Sequence, residues 1–466
     1  MFKYTALFFF FILSSCNVGE TYQEKDFISN NDVKETLNLN NSNEIIKHDW
    51  FKIFNDKDLN TLLEEAYKSN LNIAQNIEKL KQSRYNYLIN SKNYFPMIDG
   101  GGSYNYNKIN GEHSPIGVDT NDFKAGIDVS WKLDIWGKGK AVSEQYYELI
   151  NSAKYTLFDT LVLITYEVID NYINLRLNQE KLRIAYKNKK LQEDILNIVK
   201  NKYKNGLADD LALNQAKQSL DTLEANIPEI KTNINKYKNS LSLLLGCTPQ
   251  NIPIDLDKIR NNITASTFKY SVQKLYNLKL NTIKTRPDIR AAEANISSQN
   301  AVVNQAIANL YPRLTLSASF GFLSSSLGKL FNTEMIEYTP EIMTPIWHWG
   351  ELTNNIELQK NIREEYVLIY NKAMLSALLD LKNSIYFIEE SYKSNNSYKQ
   401  ALENMKSIFY ITLDKYKNGL IEFTDVANAE QNYLNAQNSF VKSNADILQG
   451  IAVFYKATGG GYNFDD

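Results

Sequence analysis

The sequence predicts a mainly α-helical chain with four amphipathic β-segments, built from one structural unit written twice. Three observations carry that expectation. The hexapeptide KYKNGL stands at 202–207 and again at 415–420. Residues 141–205 and 352–418 contain neither proline nor glycine, and they carry apolar residues at helical spacing. Between such stretches lie short segments in which apolar and polar residues alternate, the period of a strand with two different faces.

Composition narrows the class. Of 466 residues, 43% are hydrophobic and 22% charged, enough apolar content for a packed structure and too much for wholesale disorder. The net charge of -2 leaves no basic footprint for nucleic acid. His48, His113 and His348 are scattered, and the two cysteines, Cys16 and Cys247, form no CxxC spacing, so no metal or cofactor is expected. Cys247, beside Gly246, reads as a small buried residue. The chain has no GxSxG, HExxH or phosphate-cradling glycine loop in a suitable context, and an enzyme is not expected.

The N-terminus opens with Lys3, an apolar run over 6–13, and then Leu13-Ser14-Ser15-Cys16. The run is too short to span a bilayer and reads as an export signal over 1–15. Small residues before a cysteine look like a bacterial lipobox, so Cys16 is the expected acyl anchor and outer-membrane lipid its surroundings. Asn17 after it, rather than Asp, resembles outer-membrane sorting. Residues 16–47, rich in Asn, Glu, Lys and Asp, read as a lipid-anchored spacer.

The first unit, 48–285, then runs through a helix, strands near 97–107 and 123–135, the long helix and a returning helix near 208–245. Over 123–135, Phe123, Ala125, Ile127, Val129, Trp131, Leu133 and Ile135 alternate with polar residues or glycine. Asp134-Ile135-Trp136-Gly137 is read as a strand end that anchors a bend. The second unit, 286–466, opens with Arg286-Pro287-Asp288 as a helix start. It continues through strands near 313–320 and 336–347, the second long helix, and a return over 421–457. Gly206 and Gly419 stand where a helix stop wants a left-handed residue, so each KYKNGL marks the tip of a helical hairpin. The pairs Phe95-Pro96 with Tyr311-Pro312 and Trp136-Gly137 with Trp349-Gly350 fall at nearly the same offset as the hexapeptides, and the order of elements is the same twice. The chain is therefore read as a tandem duplication.

Four strands are too few to close a membrane barrel, which needs at least about eight. An open edge in lipid leaves backbone groups unpaired, each at a cost of several kcal/mol. If the segments form a membrane wall, they must close with other copies: two chains give eight strands, three give twelve. The alternation alone fits a water-soluble sheet as well, and does not say which face meets lipid.

Six motifs now accumulate in one order: Val18-Gly19 with Tyr22; the run from Trp50 to Asp56 with Leu59; LLLGCTPQNIP at 243–253; RPDIRAAEA at 286–294; YPRLTLSASFG at 311–321; and FYKATGGGY at 454–462. Together, over nearly the whole chain after Cys16, they resemble the outer-membrane efflux factor family, the TolC-like proteins, in its lipoprotein (NodT-like) branch. The resemblance implies a homotrimer with a twelve-stranded outer-membrane barrel and a long periplasmic α-helical barrel. A mixed belt would be made by 48–70, 246–285 and the C-terminal tail. It implies a passive, gated efflux conduit working with a periplasmic adaptor and an inner-membrane pump of the resistance-nodulation-division class. Alternatives are the outer-membrane channel of a type I secretion system and a structural coiled-coil envelope protein.

The resemblance also assigns sites. Gly206-Leu207 and Gly419-Leu420 would be adaptor-docking tips; as a plain helix stop, the same pairs would bury their leucines. The gate would lie just past the second tip, where relatives place a Leu ring and an Asp ring. Counting from Gly419, those positions hold Thr424 and Asn428, a departure at both. Asp425, Asp209 and Asp210 are the nearby gate candidates, with helix capping as their plainer reading.

Overall fold

The computed structural model describes residues 18–21, 30–37, 47–111, 114–258 and 282–462. Cys16, His113 and most of the 252–285 stretch lie outside them. The described helices are α1 (Asn30–Leu37), α2 (Lys57–Ser69), α3 (Leu71–Asn90), α4 (Lys138–Lys204), α5 (Asp210–Leu244), α6 (Pro287–Ala308), α7 (Glu351–Lys417) and α8 (Phe423–Ala457). The strands are β1 (Met97–Gly111), β2 (Ser114–Leu133), β3 (Arg313–Ser324) and β4 (Glu334–Met343). The repeat is exact in length where it matters most. Both long helices, α4 and α7, hold 67 residues, and both returning helices, α5 and α8, hold 35.

Two compact units result, and each draws on both repeats. The first comprises Met1–Lys25, Lys79–Lys154 and Ala291–Tyr370; the second comprises Asp26–Glu78, Tyr155–Arg290 and Asn371–Asp466.

In the first unit the strands form one antiparallel sheet in the order β1-β2-β3-β4. The register brings like residues of the four strands onto the same face. Asp99, Asp128, Ser319 and Glu337 fall in one row across the four strands, and so do Gly101, Gly126, Gly321 and Met335. The rows that alternate with them hold Ile98 with Val129, Ala318 and Tyr338, and Gly100 with Ile127, Phe320 and Ile336. One face is thus polar and the other apolar over all four strands. Ile98 and Tyr338 on the apolar face are 70% and 77% exposed.

Two strand limits differ from the reading of the sequence. β2 starts at Ser114 rather than near 123, because its backbone pairs with β1 through a stretch whose side chains do not alternate. β4 stops at Met343 rather than 347: Pro345 has no N–H to give a ladder. The residues after it leave Trp347 and Trp349 exposed.

The bend after β2 is built as its residues suggest. The Asp134 carboxylate accepts from the backbone N–H of Lys140 at 2.9 Å. The Trp136 indole donates to the Pro312 carbonyl at 2.7 Å and stacks on Tyr311. Gly137 and its repeat counterpart Gly350 both adopt positive φ, 78° and 79°.

The second unit is cored by aromatic and ionic contacts between the segment near Trp50, the long helix and the C-terminal tail. Trp50 stacks flat on Tyr455, with centroids 4.4 Å apart. Asp56 caps α2 by accepting from the N–H groups of Asp58 and Leu59, and also accepts from the Tyr172 hydroxyl at 2.8 Å. Asp58 holds the buried Arg176 at 3.3 Å. Pro287 is the first residue of α6, and Arg286 grips Asp288 through two bonds while donating to the Ala457 carbonyl at 2.9 Å. Cys247 is half-buried rather than buried: it follows Gly246, which takes φ 63° just past the end of α5, and its neighbours Gly246 and Thr248 are exposed.

Candidate functional site

The two hairpin tips lie side by side in the second unit and are made the same way. Gly206 takes φ 70° and Gly419 φ 78°. At the first tip the Leu207 N–H donates to the Lys202 carbonyl at 2.8 Å and the Gly206 N–H to the Tyr203 carbonyl at 3.0 Å. At the second, the Leu420 N–H donates to Lys415 and the Gly419 N–H to Tyr416, both at 3.0 Å. This paired pattern satisfies the last carbonyls of a helix and requires a left-handed residue, which is why glycine stands at both places. No atom lies within 4 Å of a Cβ built on either glycine, so backbone conformation alone selects it.

The leucines are not buried by this turn. Leu207 is 72% and Leu420 71% exposed, so the plain helix-stop reading accounts for the glycines and not for the leucines.

Just behind the tips, one apolar cluster ties both hairpins together. Leu196 and Val199 of α4, Ala212 and Ala216 of α5, Leu413 of α7 and Val426 of α8 belong to it. A polar clamp that the sequence did not disclose adds to it. The Lys202 ammonium donates to the Tyr416 carbonyl at 2.5 Å and lies 4.5 Å from the centre of that residue's ring. The repeat is asymmetric here: Tyr416 is buried, while its counterpart Tyr203 is exposed and bonded to Asp210, whose carboxylate pushes the phenol pKa upward.

The gate candidates fall on the first turns of the returning helices. Asp209 is the N-cap of α5 and accepts from the Ala212 N–H at 2.9 Å, so its capping reading holds. Its counterpart Glu422 makes no such bond. Thr424, Asp425 and Asn428 are exposed at the start of α8, and Thr424 reaches across to Gln215 of α5 at 3.4 Å. Asp210, also exposed, serves Tyr203. The structure gathers all nine tip and gate residues at one end of the second unit, but it gives the three acids different surroundings. Among the described residues no group of His, Cys, Asp and Glu could hold a metal ion.

An antiparallel sheet with an exposed apolar face in the first unit, and twin helical hairpins with exposed leucine tips in the second, are the parts of a channel-forming envelope protein. The family model for outer membrane efflux proteins matches residues 62–247 and 281–460. The chain belongs to that family, and it is an outer-membrane channel component of an efflux pump. It is 25% identical to the solvent efflux pump outer membrane protein SrpC of Pseudomonas putida, over 88% of this chain and 87% of that protein. With nodulation protein T of Rhizobium leguminosarum bv. trifolii it shares 22% identity, over 99% and 98% of the two chains. The solved outer-membrane channel OprN superposes with a TM-score of 0.87 at 22% identity, covering 96% of this chain and 99% of that one. The CmeC outer membrane channel of Campylobacter jejuni gives 0.82 at 22% identity, with 97% and 96% covered.

Proposed function

We propose that three copies of this chain close into a twelve-stranded outer-membrane barrel and pass solutes outward from a periplasmic adaptor and an inner-membrane pump. The observation that carries this is the open sheet. β1 and β4 each have one partner, so a single chain would leave two ladder edges unpaired in lipid. A second copy supplies the missing ladder at each edge. The long helix α7 points the same way: Leu375, Leu379 and Tyr386, at helical spacings of four and seven, stay exposed in one chain.

Gly206-Leu207 and Gly419-Leu420 serve as the adaptor-docking tips in this proposal. Four positions at the start of the returning helices, Thr424, Asp425, Asn428 and Asp210, face the gate, and Asp209 holds the first of those helices in place. Cys16 carries the lipid, which adds sorting and assembly to an anchorage the barrel already provides. Relatives are named for solvents, toluene, cations and pyoverdine. Cargo is therefore assigned to the pump and not to this conduit.

The extracted protein is expected to run as a trimer on unheated gels, to collapse to a single chain on boiling, and to conduct ions in planar bilayers. Leu207→Asp with Leu420→Asp is expected to keep that trimer and lose co-purification with the adaptor. A stable monomer from the outer membrane overturns the closure; intact adaptor binding by the double variant overturns the docking role.

A further inference from the structure

The apolar stripe of α8 that packs behind the tips reads Phe423, Val426, Glu430, Tyr433. The acid in it is no accident of the surface: Glu430 is 3% exposed, covered by its own chain. Its carboxyl makes no hydrogen bond or ion pair among the described residues. It borders a partly open cavity of about 200 Å³ between α4, α5 and α8. The walls of that cavity mix apolar side chains, such as Ile184 and Leu223, with amide and hydroxyl groups, among them Asn188 of α4, Gln218, Thr222 and Asn226 of α5, and Asn435 of α8 itself. A polar space of this size holds water readily once there is a charge to hydrate.

Few charges face Glu430. From α4, Lys181 lines the cavity but forms no ion pair with it, and Lys189 is already engaged by Glu224 at 2.7 Å and Glu193 at 3.8 Å. α5 contributes no ionisable side chain to the walls. From α7, Phe409 and Tyr410 lie against Tyr433, one helical turn from the acid, and neither is charged. With no cation to compensate it, an ionised carboxylate here is opposed by burial alone. Burial pushes the Glu430 carboxyl up to about 7.

We propose that Glu430 is a proton-operated latch: protonated, it lets α8 seat against α4 and α5 beside the tips; ionised, it hydrates the cavity and loosens that seat. An opened state returns the acid to water and to its ordinary pKa near 4.5. Below that value both states hold the proton and the latch is neutral. Between 4.5 and about 7 the seated state keeps a proton that the open state releases, so seating weakens as pH rises through this window. The tip end of the hairpins is then tighter in acid than in mild alkali. Lys217, the same position in the first repeat, is exposed and has no part in this. That loosening the seat also widens the passage rests on the conduit reading above; the latch itself does not.

The test is hydrogen exchange on the full assembled protein, corrected for the intrinsic pH dependence of exchange, at pH 5.5 and pH 8. Wild type is expected to exchange several-fold faster at pH 8 over 423–437 and 212–226, with the sheet unaffected. Glu430→Gln, isosteric and uncharged, is expected to stay protected at both values, while Lys217→Gln keeps the wild-type response. The infrared carbonyl band of a protonated carboxylic acid, titrated in wild type and absent from E430Q, reads the same proton without relying on stability. A flat wild-type profile, or an unchanged pH response in E430Q, overturns the latch. If exchange responds as expected while bilayer conductance does not, the latch stands and its link to conduction fails.

Discussion

Arg176 shows how a single residue secures the second unit. Its side chain and that of Asp58 are each only 7% exposed, and they meet at 3.3 Å. The guanidinium also donates to Gln179 and the Leu256 carbonyl, and it lies against the Tyr172 ring. A buried pair of this kind adds little over an apolar isostere, yet removing one partner strands a charge in a dry site. Asp58→Ala is therefore expected to destabilise the protein by about 3–5 kcal/mol, read as a lowered urea midpoint in detergent. Asp58→Leu combined with Arg176→Met is expected to recover most of that loss. A double variant no better than the single one would show that Arg176 acts through its hydrogen bonds and not through its charge. None of this was legible in the run WFKIFNDKDL, where Asp56 and Asp58 look alike. Only the fold makes one a helix cap and the other a counter-ion.

At the scale of elements, the helices were legible and the strand limits were not. Unbroken runs without proline or glycine, closed by a glycine at each tip, leave one reading for α4 and α7. Strands end where backbone pairing ends, and pairing reaches past the alternating side chains in β2 and falls short of them in β4. Alternation did mark the two faces, but it gave no sign of why glycine recurs on the polar one. Gly126 and Gly321 face each other across β2 and β3. A Cβ on Gly126 would come within 2.5 Å of the Phe320 carbonyl oxygen, and a Cβ on Gly321 would press on Ala125 just as closely. The two strands approach there as only glycine allows. Gly101, in the same row, has nothing within 4 Å of its Cβ position. Gly126→Val is expected to abolish the heat-modifiable folded form on gels, and Gly101→Ala to leave it unchanged. Equal tolerance at both positions would count against this close approach.

Across the whole molecule, duplication made the tips visible while hiding what distinguishes them. Two identical hexapeptides announce two hairpins, yet Tyr203 and Tyr416, or Lys217 and Glu430, occupy equivalent places with opposite burial. Such differences arise from which helices close around a position, and no local pattern encodes that. The assembly, in contrast, follows from one property of the sheet: which face meets hydrocarbon. Phe320 sits mid-strand in β3 on the apolar face, and Ser317 on the same strand projects from the polar face. If the apolar face lines the bilayer, Phe320→Arg places a charge in lipid at a cost of about 2–4 kcal/mol near the midplane. Ser317→Arg places the same charge in a watered lumen, where folding is indifferent to it. Ser317→Arg is expected to give normal amounts of trimer with ion selectivity shifted toward anions, because three added cations line the path. Phe320→Arg is expected to reduce trimer yield and leave selectivity unchanged in the molecules that assemble. The opposite pairing of outcomes, with selectivity moved by Phe320→Arg and assembly lost in Ser317→Arg, would turn the barrel inside out and remove the basis for a conducting lumen.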